Sequence, residues 1–331
     1  MARSGGIAPL AAAVTAALAL TAALLTGCAG PASEPGPAPT SAPTAEPTAD
    51  DRPLATPILV IAAADVPALL DEGAALIAVG STLEASQPGY LDGALAVDQD
   101  DWHLASDSQA ELDDTAGWSQ RIGALGIAAD RPVVVYDDGE LKFASRVRYL
   151  LAHFGVEETY LVDGGWPALE TVAADHGIAT AGSPAAPEPV GFQATITQPP
   201  IPVATRDVVA EAVAEGGAVI LDVRSPEEFD GARLLPPVTR GGHIPGAVNL
   251  PMTELLDPAT APSSLLPIEE LREVFAARGI EPGDGVIVYC QDGARSSLVA
   301  SALVMAGYSH TELYYLSYAD WQSDTADPVA Q

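Results

Sequence analysis

Val286-Ile287-Val288-Tyr289-Cys290-Gln291-Asp292-Gly293-Ala294-Arg295-Ser296-Ser297 decides how the rest of the chain is read. Val286 to Tyr289 are β-formers set between Gly285 and Gly293, which predicts a buried strand. Ser296-Ser297 lead into Leu298-Val299-Ala300-Ser301-Ala302-Leu303-Val304-Met305, with Gly307 as a stop, so a helix follows. Cys290 then ends a parallel strand, at the rim where open α/β sheets place their ligands. A short loop curling into a helix N-terminus aims several N–H groups at one spot and attracts anions. A thiolate is favoured there, and Arg295 closes the loop with a fixed positive charge. The alternative is an inert core cysteine, a role for which a Gln-Asp-Gly turn is a poor setting.

The chain contains an internal repeat. Gly89-Tyr90-Leu91-Asp92-Gly93-Ala94-Leu95 matches Gly242-His243-Ile244-Pro245-Gly246-Ala247-Val248, and Gly126-Ile127 matches Gly279-Ile280. Val133-Val134-Val135-Tyr136-Asp137 matches Val286-Ile287-Val288-Tyr289-Cys290, and all three pairs are 153 residues apart. Leu76 to Ser81 matches Ile220 to Ser225 at a spacing of 144, so the second copy carries an extra loop around Arg233 to Gly241. Units of this length are duplicated domains and not solenoid repeats. We expect domains at 58–180 and 201–325, joined by a proline-rich linker at 181–200. Each copy alternates short apolar strands with amphipathic helices, which predicts an α/β fold with a parallel sheet and helices on both faces.

A Cys, four residues and an Arg, set between a Val-rich strand and a helix, resemble the active loop of rhodanese-type sulfurtransferases. The resemblance extends from about Ile58 to Trp321. Its most specific pieces are Arg240-Gly241-Gly242-His243-Ile244-Pro245-Gly246-Ala247 and the Cys290 loop. It implies the tandem-domain thiosulfate/3-mercaptopyruvate sulfurtransferase form. Cys290 would accept a sulfane sulfur as a persulfide, and the loop Gln291, Asp292, Gly293, Ala294 with Arg295 would cradle it. Related phosphatases have one more residue between Cys and Arg, so the spacing here favours sulfur over phosphate. The resemblance also implies a site facing the cleft between the domains. Asp222, Arg224, Arg240 and His243 are supporting residues. Asp222 with Arg224 suits a buried tie between neighbouring backbone segments, and His243 suits a loop fastener better than a general base.

The first copy looks catalytically silent. Asp137 stands where Cys290 stands, and Ala78 and Gly80 replace Asp222 and Arg224. Its loop, through Gly139-Glu140-Leu141-Lys142, is expected to be longer and to lack the Arg closure. The second copy departs from the thiosulfate type in three places. Gln291 and Asp292 stand where basic residues follow the Cys, and Glu228 stands near an expected Arg. Tyr315-Leu316-Ser317-Tyr318 replaces the Asp-Gly-Gly-Trp turn that the first copy keeps at Asp163-Gly164-Gly165-Trp166. The Asp292 charge is expected to weaken binding of a dianion, with Arg233 and Arg240 as sources of compensating charge.

The N-terminus reads as an export signal. Arg3 precedes an apolar run from Ala8 to Leu25, followed by Leu25-Thr26-Gly27-Cys28, which resembles a bacterial lipobox. Residues 1–27 would be the signal peptide and Cys28 the lipidated residue. A plain secretory signal or an uncleaved anchor would read similarly. Residues 28–57, rich in Pro, Ala and Thr, suit a disordered tether. The expected location is the extracytoplasmic side of the cell membrane.

With 14 Lys+Arg against 45 Asp+Glu, the net charge of −31 argues against a nucleic-acid partner. If Cys28 carries lipid, Cys290 is the only thiol and no intramolecular disulfide can form. The five histidines show no metal-ligand spacing, so neither metal nor cofactor is expected. The expected partners are a small sulfur donor such as thiosulfate or 3-mercaptopyruvate, and a thiol, cyanide or protein acceptor. The competing reading is a non-enzymatic module that holds sulfur, senses redox state or docks a partner.

Overall fold

The computed structural model describes residues 57–196, 199–260 and 263–331. The signal segment, Cys28 and nearly all of the tether lie outside the described residues. In the first half the chain runs through β1 (Val60–Ile61), α1 (Val66–Asp71), β2 (Ala75–Gly80), β3 (Tyr90–Leu91), β4 (Leu95–Asp98), α2 (Gln99–Leu104), α3 (Gln109–Leu112) and α4 (Thr115–Ala124). It continues with β5 (Val133–Tyr136), α5 (Lys142–His153), β6 (Thr159–Val162), α6 (Gly165–His176) and β7 (Thr180–Ala181). The second half has α7 (Arg206–Glu215), β8 (Ala218–Asp222), α8 (Pro226–Phe229), β9 (Val248–Asn249) and α9 (Ile268–Ala277). It ends with β10 (Gly285–Tyr289), α10 (Ala294–Met305), β11 (Thr311–Leu313) and α11 (Ser317–Trp321).

The duplication is visible in strand order. The first sheet runs β1-β6-β5-β2-β4 and the second β11-β10-β8-β9, and all neighbours are parallel. The order β6-β5-β2-β4 is therefore repeated as β11-β10-β8-β9. A parallel bridge from Val203 to Leu313 stands where β1 joins β6. The central strands are buried along their length, as continuous Val/Ile runs in a two-faced parallel sheet should be.

Helices α5 and α10 follow the central strands β5 and β10 and pack against each other. Both are buried on nearly every face. Val147, Leu150 and Leu151 join Leu298, Val299 and Leu303 in one hydrophobic core that spans both halves. Each such side chain contributes about 1.5–3 kcal/mol by leaving water, so the contact between the halves is a shared core and not a loose cleft.

The segment expected to be a linker is bound to the first half. β7 pairs antiparallel with β3. Beyond it, the Ala185 N–H donates to Ala94 O at 2.8 Å, Val190 to Gly123 O at 2.9 Å and Thr195 to Phe154 O at 3.2 Å. The Ala194 N–H donates to Ser119 Oγ at 2.9 Å. Prolines remove donors from this extended strap, and these N–H groups find partners on the domain surface.

Candidate active site

Cys290 follows the last residue of β10, Tyr289, which lies in register with Asp222 of β8. The loop closes through Gly293, whose φ of +96° is left-handed; a Cβ there would meet Tyr315 O at 2.7 Å. Only glycine fits both demands. Helix α10 then starts with its N-terminus at the thiol. The Gly293 N–H donates to Cys290 Sγ at 3.1 Å and the Ser296 hydroxyl at 3.4 Å. Ser317 Oγ lies 3.9 Å from the sulfur and accepts the Cys290 N–H at 3.1 Å. Ser317 holds φ at +59°, an uncommon conformation for a non-glycine residue and one that recurs where geometry is imposed by function. Cys290 itself has no exposed surface.

The charges around the loop are paired. Arg295 donates from Nη1 to Glu228 Oε2 at 2.8 Å and from Nη2 to Glu228 Oε1 at 2.9 Å. Burial alone would lower the guanidinium's pKa, but this two-pronged bond outweighs it and holds the group above the usual arginine range. Glu228 is held in turn by a capping box with Ser225 at the start of α8. Asp292 meets Arg146 of α5. Arg146 Nη2 lies 3.0 Å from Asp292 Oδ1 and donates to Asp292 O at 2.8 Å, while Nη1 donates to Gln99 Oε1 at 2.6 Å. Burial would raise the Asp292 carboxyl, but the Arg146 charge, with His103, brings it down to about 2. His103 Nε2 lies 4.0 Å from Asp292 Oδ2. Desolvation, reinforced by Arg146, pushes the His103 imidazole below its ordinary value.

The structure brings Cys290, Asp292, Gly293, Ala294 and Arg295 together and gives the other expected residues different surroundings. Gln291 turns away from the thiol, and its Nε2 donates to Pro236 O at 3.0 Å. The extra loop of the second half is thus latched beside the site. Asp222 and Arg224 form a buried ion pair at 2.6 Å, and Arg224 also donates to Gly242 O at 2.8 Å. The Arg224 guanidinium lies 3.9 Å from the Tyr318 ring centroid. Arg240 spends its donors on backbone carbonyls. Its Nη1 donates to Asp324 O at 2.7 Å and its Nη2 to Asp327 O at 2.8 Å, which ties the extra loop to the C-terminal segment. His243 stacks on Phe229 with ring centroids 3.6 Å apart and bonds Phe229 O through Nδ1 at 3.1 Å. Among the described residues no cluster of His, Cys, Asp and Glu could hold a metal ion.

The loop of the first half is one residue longer than its counterpart, as expected: Asp138 to Leu141 separate Asp137 from α5, which Lys142 opens, whereas only Gln291 to Gly293 separate Cys290 from α10. Asp137 fills its own cradle. Its Oδ1 accepts the Gly139 and Leu141 N–H groups at 3.0 Å each, and its Oδ2 accepts Ala144 at 3.2 Å. Burial pushes this carboxyl up to about 6, against the opposing pull of those three amides.

Arg146 and Ser317 escaped sequence reading. Arg146 left a signal: Arg146 and Arg148 sit two apart among Phe143, Val147, Leu150 and Leu151, so they cannot share a face, and each must find its own buried partners. Ser317 left none, because its role comes from an uncommon backbone angle.

Two cavities flank the loop. One of about 430 Å³ is lined by Lys142, Arg233, Leu235, Glu228, Asp292 and Arg295. The other, about 270 Å³, is lined by His103, Ser106, Pro236, Gln291, Asp292 and Tyr315. Both draw residues from the two halves. Larger open grooves beside α2 and α4 of the first half hold no nucleophilic thiol.

Duplicated parallel sheets, with a lone Cys at the rim of one and an amide cradle around it, define a pair of rhodanese-like domains. The rhodanese-like domain family matches residues 205–324. Over 266 residues the chain is 32% identical to a putative thiosulfate sulfurtransferase of Haloferax volcanii, spanning 77% of this chain and 87% of that protein. It is 29% identical over 276 residues to a thiosulfate sulfurtransferase of Azotobacter vinelandii, spanning 82% and 96%. It is 32% identical over 206 residues to the 3-mercaptopyruvate sulfurtransferase of Escherichia coli K12, spanning 62% and 70%. Among solved structures, an anaerobic ergothioneine biosynthesis enzyme from Chlorobium limicola superposes with a TM-score of 0.69 at 20% identity, over 82% of this chain and 70% of that one. That last likeness speaks to the fold alone. The chain belongs to the rhodanese-type sulfurtransferase family.

Proposed function

We propose that the protein moves a sulfane sulfur from a donor such as thiosulfate or 3-mercaptopyruvate, through a persulfide on Cys290, to a thiol, cyanide or protein acceptor. The Cys290 thiolate attacks the donor's outer sulfur. The bond between that sulfur and its carrier breaks, and the electron pair leaves with the carrier, as sulfite or as the enolate of pyruvate. An acceptor nucleophile then attacks the outer sulfur of the persulfide, and the Cys290 thiolate returns as leaving group. Two half-reactions on one nucleophile predict ping-pong kinetics. Amides at the α10 N-terminus and the Ser296 hydroxyl stabilise the anionic sulfur. Arg295 completes the loop, and Asp222 with Arg224 and His243 fix its surroundings.

The observation that carries this reading is the pair of donors on Cys290 Sγ, Gly293 N–H at 3.1 Å and Ser296 Oγ at 3.4 Å, at the start of a twelve-residue helix. Intact mass spectrometry after incubation with each donor tests it. Cys290 should gain one sulfur atom, and Cys290→Ser should gain none. A sulfur-holding or docking module has the full burial of Cys290 in its favour. Multiple turnovers with excess donor and acceptor separate that module from an enzyme.

We also propose that Cys28 carries lipid and that residues 28–57 tether the domains outside the cytoplasm. Leu25-Thr26-Gly27-Cys28 supports this reading. Among the described residues no helix is long and apolar enough to cross a membrane. The cellular protein should enter the detergent phase, and Cys28→Ala should abolish lipid labelling.

A further inference from the structure

We propose that residues 233–237 form a bar across one cleft between the halves, and that a clasp from Arg240 to the C-terminal segment decides whether a thiol borne on a folded protein reaches the persulfide on Cys290. The inference rests on the sulfurtransferase reading above.

The bar shows in how the two cavities divide. Arg233 and Leu235 line the larger, Pro236 and Pro237 line the smaller, and Gln291 and Asp292 line both. The segment therefore runs between the cavities, beside the loop that carries the thiol. Among the described residues a single hydrogen bond ties it to that loop, from Gln291 Nε2 to Pro236 O at 3.0 Å. A small molecule needs only that bond to open. A folded protein needs the whole segment to swing aside, so that the two cavities become one.

The far end of the segment is held by more bonds. Gln322 Oε1 accepts the Thr239 N–H, the Thr239 hydroxyl and the Arg240 N–H, at 3.2 Å each. Arg240 donates to Gln322 O at 3.3 Å in addition to the Asp324 and Asp327 carbonyls. His243 and Ala330 exchange backbone bonds, at 2.9 Å in both directions. Gln322 directly follows α11, whose first residue, Ser317, accepts the Cys290 N–H. The bar is thus anchored to the element that fixes the thiol's backbone. The two latches act in series. Local opening breaks the Gln291 bond alone, and full opening breaks the clasp as well. Transfer to a bulky acceptor scales with the fully open fraction. In that transfer the acceptor thiolate attacks the outer sulfur, the bond to Cys290 Sγ breaks, and the electron pair returns to Cys290.

The test uses one electrophile at two sizes, N-ethylmaleimide and a maleimide attached to a small folded protein, each rate divided by the rate with glutathione. Wild-type Cys290 should react with the bulky probe about a hundredfold more slowly than with the small one, the cost of several hydrogen bonds. Gln322→Ala and Arg240→Lys should each speed the bulky probe by about tenfold or more and the small one by less than about threefold. Lysine offers a point charge and cannot span the three carbonyls. Sulfur transfer from loaded Cys290 should split in the same way, with a gain for a single surface cysteine on a folded protein and none for cyanide. A merely structural role would move both probes together, along with Tm. Wild type that reacts equally with both probes overturns the proposal, whether or not the variants fold. So do folded variants that leave the ratio of the two rates unchanged. If no donor loads Cys290, the sulfurtransferase reading fails and the acceptor claim with it, whereas the maleimide rates read the bar apart from that chemistry.

Discussion

Arg148 of α5 donates from Nη2 to Ser301 Oγ of α10 at 3.1 Å, a hydrogen bond that joins the two halves through their central helices. Arg148 is buried, and desolvation pushes its guanidinium down to about 10. It meets hydroxyls, from Ser301 and Thr159, and no carboxylate among the described residues. Arg146, one turn-fraction away, meets the Asp292 carboxylate.

The two arginines should therefore respond oppositely to removal. Arg146→Met leaves Asp292 without its cation and should cost about 3–5 kcal/mol in urea unfolding. Arg148→Met removes a buried charge that no carboxylate balances, and should be neutral or stabilising by about 1 kcal/mol or more. Equal destabilisation by both would contradict this account of the core.

Two carboxyls give stability a pH dependence of opposite sign. Asp292, near 2 in the folded protein, lies below its unfolded value of about 3.9. Its contribution is fully present above about pH 4 and is lost as pH falls through about 2. Asp137, near 6, lies above its unfolded value. Its contribution is fully present below about pH 4 and is lost as pH rises through about 6, by about 3 kcal/mol. Urea unfolding across this range should lose its acid slope in Asp292→Asn and its slope between about pH 4 and 6 in Asp137→Asn. The Asp292 effect should be the smaller, since its side chain is 32% exposed and partly screened.

The first half should matter to the chemistry through Arg146 and not through Asp137. Asp137→Asn should leave sulfur loading of Cys290 within about threefold, because the two sites share no partner. Arg146→Met should slow loading by about tenfold or more, since an unpaired Asp292 carboxylate would then lie near a thiolate, at a present distance of 3.9 Å from Sγ. Loading rates for both variants by mass spectrometry decide this.

Gln291 should control access. Removing its bond to Pro236 O in Gln291→Ala costs about 1 kcal/mol of latch. Alkylation of Cys290 by a small iodoacetyl reagent should quicken by about fivefold, with little change in Tm. An unchanged rate would mean that the loop around Pro236 does not gate the thiol.

The repeat, the parallel sheets and the position of Cys290 were legible because each is local: a period, a run of β-formers, a glycine before a helix. The electrostatics were not. Asp292 looked like an obstacle to anions because the sequence places it beside Cys290. Its compensating cation, Arg146, lies 146 residues away in the other half. A swap of Asp292 for lysine would therefore set two cations together. Glu228 was noticed only as a departure from a family pattern. Its bond to Arg295 spans 67 residues and depends on how α8 docks. Arg240 read as spare charge because the C-terminal carbonyls that occupy it carry no side-chain signature.

The Asp137 carboxylate ends the same number of bonds from Cα as the outer atom of a cysteine persulfide would. The first half is therefore a standing template for the loaded second half. Leu141 and Gly293 are the left-handed residues that precede α5 and α10, so the donors Leu141 and Ala144 become Gly293 and Ser296. The Gly293 N–H now faces Cys290 Sγ at 3.1 Å. Arrival of the second sulfur should draw this amide onto the outer atom. Its proton resonance would then report occupancy of the site directly, without any acceptor being consumed.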